Sequence, residues 1–139
     1  MPDWLEELDH TADAGIVVRA PDLVRLFERA AWGLFSVITD PERIRPRESF
    51  HVDLEAADRE ALLVGWLSDL NFRHVTEEKV FGKFEIAELT AERLVATVRG
   101  EPIDARRHPL HTEIKAVTYH GLAIEPEDGG WRAQIIFDL

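Results

Sequence analysis

Cysteine is absent from this 139-residue chain, which excludes disulfides and thiolate-bound metal centres alike. Also missing is any apolar run near the roughly 20 residues that a membrane-spanning helix needs. The N-terminus lacks the basic segment and apolar stretch of a secretory signal. No low-complexity segment, Gly/Ser-rich linker or short repeat interrupts the chain. These absences lead to the expectation of a soluble, cytoplasmic protein with no membrane partner. Basic residues are scarce: 16 Lys and Arg stand against 27 Asp and Glu, a formal net charge of −11. Such a field repels a phosphate backbone at long range, so autonomous nucleic-acid binding is not expected. A basic surface, a protein or a metal ion is the better partner. A plainer reading is that the acidic excess keeps the protein soluble.

Catalytic signatures are missing as well. There is no G-x-S-x-G elbow, no Gly-rich phosphate loop and no cysteine nucleophile. The histidines, His10, His51, His74, His108, His111 and His120, are scattered and never show the i, i+4 pairing of a zinc protease. What is present is 45% hydrophobic residues and 4 tryptophans, enough for a real core. The length predicts a single domain over residues 1–139, able to bury roughly 70% of its unfolded surface.

The clearest element is "DLVRLFERAAWGLFSVI", residues 22–38. Leu23, Leu26, Phe27, Ala30, Ala31, Leu34, Phe35 and Ile38 follow the spacing of one helical face. Pro21 and Asp22 are start signals, and Pro41 stops the helix near Asp40. A second helix reads from Asp58 to about His74, with Leu62, Leu63, Trp66, Leu67 and Leu70 as its buried stripe. Gly65 inside it costs about 1 kcal/mol relative to alanine, which implies a close approach by a neighbouring element. Elsewhere the period is two. "HVDLEA" alternates, "KFEIAEL" and "RLVATVRG" form a hairpin across Thr90–Glu92, and "EIKAVTYHGLAIE" pairs with "WRAQIIFDL" across Gly129 and Gly130. The expected fold is α+β: two helices packed on antiparallel sheet, with C-terminal hairpins.

Three places could carry chemistry. In "WRAQIIFDL", Trp131, Ala133, Ile135, Phe137 and Leu139 share one face, which weighs against fraying and holds the Leu139 carboxylate beside Asp138. Two adjacent carboxylates repel each other unless a cation or donor answers them. Asp13 directly precedes the strand "AGIVVRA" and is either a turn or capping residue or one ligand of a hard cation such as Ca²⁺ or Mg²⁺. If the first and last strands are neighbours, Asp13, Asp138 and the Leu139 carboxylate form one cluster. Lys115 would stand on the Val117 and Tyr119 face of its strand, where it either snorkels to solvent or meets carboxylates. His120 could be a ligand, a base or a surface residue.

Taken in order, "DHTADAGI", "LFERAAWGLFSVITD", "LLVGWLSDL", "EIKAVTYHGLAIE" and the closing "IIFDL" resemble the archease family through essentially the whole chain. The resemblance implies an accessory protein, not an enzyme, that activates an RtcB-type RNA ligase of tRNA splicing or RNA repair. It would promote guanylylation of the ligase's catalytic histidine and so allow multiple turnover. It also implies a metal site at Asp13, Asp138 and Leu139, most simply for calcium, with magnesium or manganese as alternatives. Lys115 is a further functional position, and Asp9 a supporting one. The chain departs from the family pattern in its "APD" entry to the first helix and in "NFRHVTEE" after the second. Two rival readings are an acidic chaperone or interaction module for RNA-modifying enzymes, and a metal-dependent hydrolase with His120 as base.

Overall fold

A computed structural model describes residues 2–9 and 13–139. Helix α1 spans Leu23–Ile38 and α2 spans Arg59–Glu77. Both open on the aspartate expected: Asp22 accepts from the Arg25 amide and Asp58 from the Ala61 amide, each at 2.8 Å, satisfying donors with no partner inside the helix. The "APD" entry therefore supplies an ordinary cap. After α1 the chain turns extended at Thr39 and enters a short 3₁₀ turn, Pro41–Arg43. Helix α2 runs three residues past His74, and Glu78 ends it in the left-handed conformation (φ 55°).

Among the described residues seven strands form two antiparallel sheets. The first has the order β1-β2-β7-β6, built from Leu5–Asp9, Asp13–Ala20, Gly130–Asp138 and Ala116–Glu127. The second has the order β3-β5-β4, from Glu48–Glu55, Arg93–Pro102 and Lys79–Leu89. The two expected hairpins are β4–β5 and β6–β7. Strand β1 is an addition to the sequence reading: its "LEELD" carries too few apolar residues to stand out.

Each helix touches both sheets, so one continuous core joins them. Its centre is aromatic. Phe35 meets Phe81 edge-on at 5.6 Å, and Trp66 meets Phe84 at 6.3 Å. The Trp66 indole donates to the Phe27 carbonyl at 2.9 Å, tying α2 to α1. The close helix approach expected at Gly65 is not there: a Cβ at that position would meet only Leu54 Cδ1 at 3.8 Å. It occurs at Gly33 of α1 instead, where a Cβ would lie 2.7 Å from Ile16 Cδ1. Among the described residues no helix is long and apolar enough to cross a membrane.

One buried charge organises the long connection between β5 and β6. The Glu101 side chain is wholly buried. It accepts from the Arg107 guanidinium at 2.6 Å, from the Arg45 amide at 2.9 Å and from His108 Nε2 at 2.9 Å. The Asp104 amide donates to His108 Nδ1 at 2.8 Å, so the ring is the neutral tautomer protonated on Nε2. Burial pushes the Glu101 carboxyl up, but its hydrogen bonds outweigh burial and hold it down to about 2. This clip joins the connection to the segment after the 3₁₀ turn. The connection then reaches α1, where the His111 amide donates to the Ile38 carbonyl at 2.8 Å.

Candidate functional site

Three strands of the first sheet reach the same row. In register, Asp13 of β2 faces Asp138 of β7, which on its other side faces Ala116 of β6. The reason is the pleat. Ala133, Ile135 and Phe137 are buried against the helices, so Asp138, Ile136 and Gln134 lie on the opposite face of the sheet. Asp13, directly opposite Asp138 in an antiparallel pair, points the same way, with Cβ atoms about 5 Å apart by ordinary sheet geometry. Two residues that are 125 positions apart are thus nearest neighbours across strands.

Behind the pair lies a hollow of about 110 Å³ bordered by Asp13, Thr118, His120, Ile136, Phe137 and Asp138. Asp13 Oδ1 is buried there without a hydrogen-bond partner among the described residues. A buried carboxylate oxygen is seldom left so, and it fits a site completed by a cation. Asp13 and Asp138 supply two hard oxygen donors of the kind Ca²⁺, Mg²⁺ or Mn²⁺ takes. Among the described residues no three Asp, Glu, His or Cys side chains come together as a fuller metal cage. Carbonyls and water would have to complete the shell.

The other expected residues fall as follows. Lys115 is not in a strand: β6 begins one residue later, at Ala116. The expected Val117 and Tyr119 face does not exist either, because Val117 is buried and Tyr119 is 60% exposed. The ladder is irregular between Thr118 and Ala123. Lys115 still reaches the site through its backbone, whose amide donates to the Asp138 carbonyl at 2.8 Å. Its side chain is exposed. His120 borders the hollow and is exposed. Leu139 does not border it. That residue packs against the core and lines a separate cleft at the end of α1. Asp9 closes β1 opposite Ala14; its side chain, and His10, Thr11 and Ala12 of the motif, lie outside the described residues.

Two residues escaped the sequence reading. Thr118 borders the hollow and its hydroxyl donates to the Ile136 carbonyl at 3.3 Å. Asn71, buried in α2, donates from Nδ2 to the Ile114 carbonyl at 2.8 Å, fixing the peptide just before Lys115. Thr118 was visible as a strand position of the right parity. Nothing in the sequence marks Asn71, because its partner is a backbone atom 43 residues away.

Comparison with known proteins agrees over nearly the whole chain. The profile of the Archease protein family matches residues 5–139. A protein archease of Methanopyrus kandleri is 43% identical over 137 residues, covering 96% of this chain and 98% of its own. That of Thermococcus gammatolerans is 40% identical over 143 residues, covering all of both chains. The solution structure of Methanobacterium thermoautotrophicum protein 1598 is similar with a TM-score of 0.80 and 38% identity, covering 98% of this chain and 99% of the other. A Thermotoga maritima crystal structure, described as an archease and possible chaperone, shares the fold with a TM-score of 0.64 at 21% identity, covering 95% and 94%.

Proposed function

This chain belongs to the archease protein family, and from that premise we propose that it is a non-enzymatic activator of an RtcB-type RNA ligase. It acts in the cytoplasm as a single domain, promoting guanylylation of the ligase and hence repeated turnover. The observation that carries the site is the Asp13–Asp138 pair with its buried, unpartnered Asp13 oxygen. In this reading Asp13 and Asp138 hold a divalent cation, calcium first among Ca²⁺, Mg²⁺ and Mn²⁺, and the Leu139 carboxylate, one residue on from Asp138, joins them while the rest of that residue packs on the core. When bound, the cation offsets the carboxylates' mutual repulsion and presents positive charge at the end of the two inner strands, β2 and β7. Lys115 adds an exposed cation beside it, and Asp9 and His120 flank the same end. The net charge of −11 favours docking on the ligase's basic RNA groove, which rising salt weakens.

The experiment is ligation by the cognate ligase in excess RNA, with the native protein and with Asp13→Ala and Asp138→Ala. The native protein should convert one round into many, and each variant should lose at least tenfold of that gain while keeping its fold. No effect of the native protein refutes the activator reading. Unimpaired variants refute the carboxylate site. A more general interaction module is favoured by the exposed Phe72, Val75 and Leu110; it predicts partner binding indifferent to both aspartates. Phosphoester hydrolysis by the isolated protein, lost in Asp138→Ala, would instead mark a hydrolase.

A further inference from the structure

A cleft of about 500 Å³ opens where α1 ends, bordered by Glu7, Trp32, Thr39, Asp40, Glu42 and His111 among others. It shares no lining residue with the Asp13–Asp138 hollow, and Leu139, next to Asp138 in the chain, lines its wall. No lysine or arginine lines it among the described residues. Arg43 approaches Asp40 only to 3.9 Å and stands outside the lining. The last turn of α1 carries no basic residue, so the helix end adds negative potential to three carboxylates. His111 Nε2 meets Asp40 Oδ1 at 2.9 Å, holding that carboxylate in place.

A second observation is independent of this charge. Thr39 lines the cleft at depth, only 1% exposed, and its Oγ1 has no hydrogen-bond partner among the described residues. Buried hydroxyls are nearly always bonded. Negative potential and a vacant acceptor in a cleft that also holds an indole ring together call for a flat, multiply donating cation.

We propose that this cleft binds the guanidinium of an arginine side chain presented by a partner protein. A guanidinium is always charged, offers five donors in one plane and is weakly enough hydrated to leave water beside an aromatic ring. It can pair with a carboxylate through two donors and keep others for Thr39 Oγ1, which a small side-chain shift at the cleft floor would open to it. The source is a protein segment because a second hollow, of about 340 Å³, shares His111 and Thr112 with the cleft. Val75 and Leu110 line that hollow and are 48% and 56% exposed. Apolar residues flanking the arginine would cover them, and a free cation would not.

The test uses the whole protein and three probes: acetyl-Leu-Arg-Leu-amide, acetyl-Leu-Gln-Leu-amide and acetyl-arginine-amide. Binding is followed by NMR shifts at the Trp32 indole and the His111 ring. The arginine peptide should bind at least tenfold more tightly than either other probe. Asp40→Asn with Glu42→Gln should weaken it at least tenfold. Thr39→Val, which keeps the shape and an extended backbone, should weaken it at least threefold without lowering the unfolding midpoint. Equal binding of the arginine and glutamine peptides overturns the site. So does arginine-peptide binding indifferent to these substitutions. Acetyl-arginine-amide binding as tightly as the peptide overturns the protein source. None of these outcomes depends on the ligase reading, because no ligase is present.

Discussion

Replacing Glu101 by glutamine should cost about 3 kcal/mol at neutral pH, and the cost should fade in acid. Burial raises the carboxyl, yet the donors around it bring it down from an ordinary glutamate's 4.5 to about 2. At about 1.4 kcal/mol per pH unit, that drop is worth ~3 kcal/mol of native stability at pH 7. A depressed carboxyl stabilises the fold fully above the unfolded chain's 4.5 and ceases to do so as the pH falls towards 2. Roughly half of the contribution should be gone by about pH 3. Glutamine cannot rescue the arrangement, since its amide nitrogen would face either Arg107 or the Arg45 amide and His108, all donors. His108 cannot switch tautomer to help, because its Nδ1 already accepts from Asp104. Urea unfolding of the native protein and Glu101→Gln at pH 7, 5, 4 and 3 measures the gap directly. A gap below about 1 kcal/mol at pH 7, or one that stays constant to pH 3, would refute the clip as described.

The two helical glycines should respond oppositely to alanine. Gly33→Ala drives a methyl to 2.7 Å from Ile16 Cδ1 and should lose about 1–3 kcal/mol by overpacking. Gly65→Ala has room and should gain about 0.5–1 kcal/mol; thermal midpoints that move the same way would contradict this. Trp66→Phe removes the buried indole bond to Phe27 and should cost about 2 kcal/mol, read from the denaturant midpoint with the slope unchanged.

What could be read from the sequence was whatever depends on near neighbours along the chain. Helix α1 declares itself through its apolar spacing and Asp22, and the β4–β5 and β6–β7 hairpins through alternation around short turns. The division into two sheets could not be read, because it depends on which strands pair across the chain. The same limit applies to Glu101. Nothing within "GEPID" marks its glutamate as buried, and the donors Arg45, Arg107 and His108 become a cage only after folding. Asp13 and Asp138 stood out as carboxylates at strand ends, and their meeting hinged on β2 lying beside β7. Lys115 was misplaced by one residue of strand boundary, enough to cancel a face argument that relies on strict alternation. Gly65 misled because a glycine in a helix can mark crowding or nothing at all.

The outer strands have one more consequence. A sheet edge displays unpaired donors and acceptors on which another molecule's strand can add, the first step towards fibres. Here each edge is shortened, broken or charged. Strand β1 is only five residues long and largely acidic. Strand β6 leaves its ladder between Thr118 and Ala123, turns through Gly121 at φ 70°, and carries Pro126, which has no N–H to offer. Strand β4 breaks register twice, and β3 carries Glu48, Asp53 and Glu55. The irregularity that spoils β6 as a strand also makes it a poor template for a second copy, and the one unbroken edge among the described strands, β3, is guarded by its carboxylates.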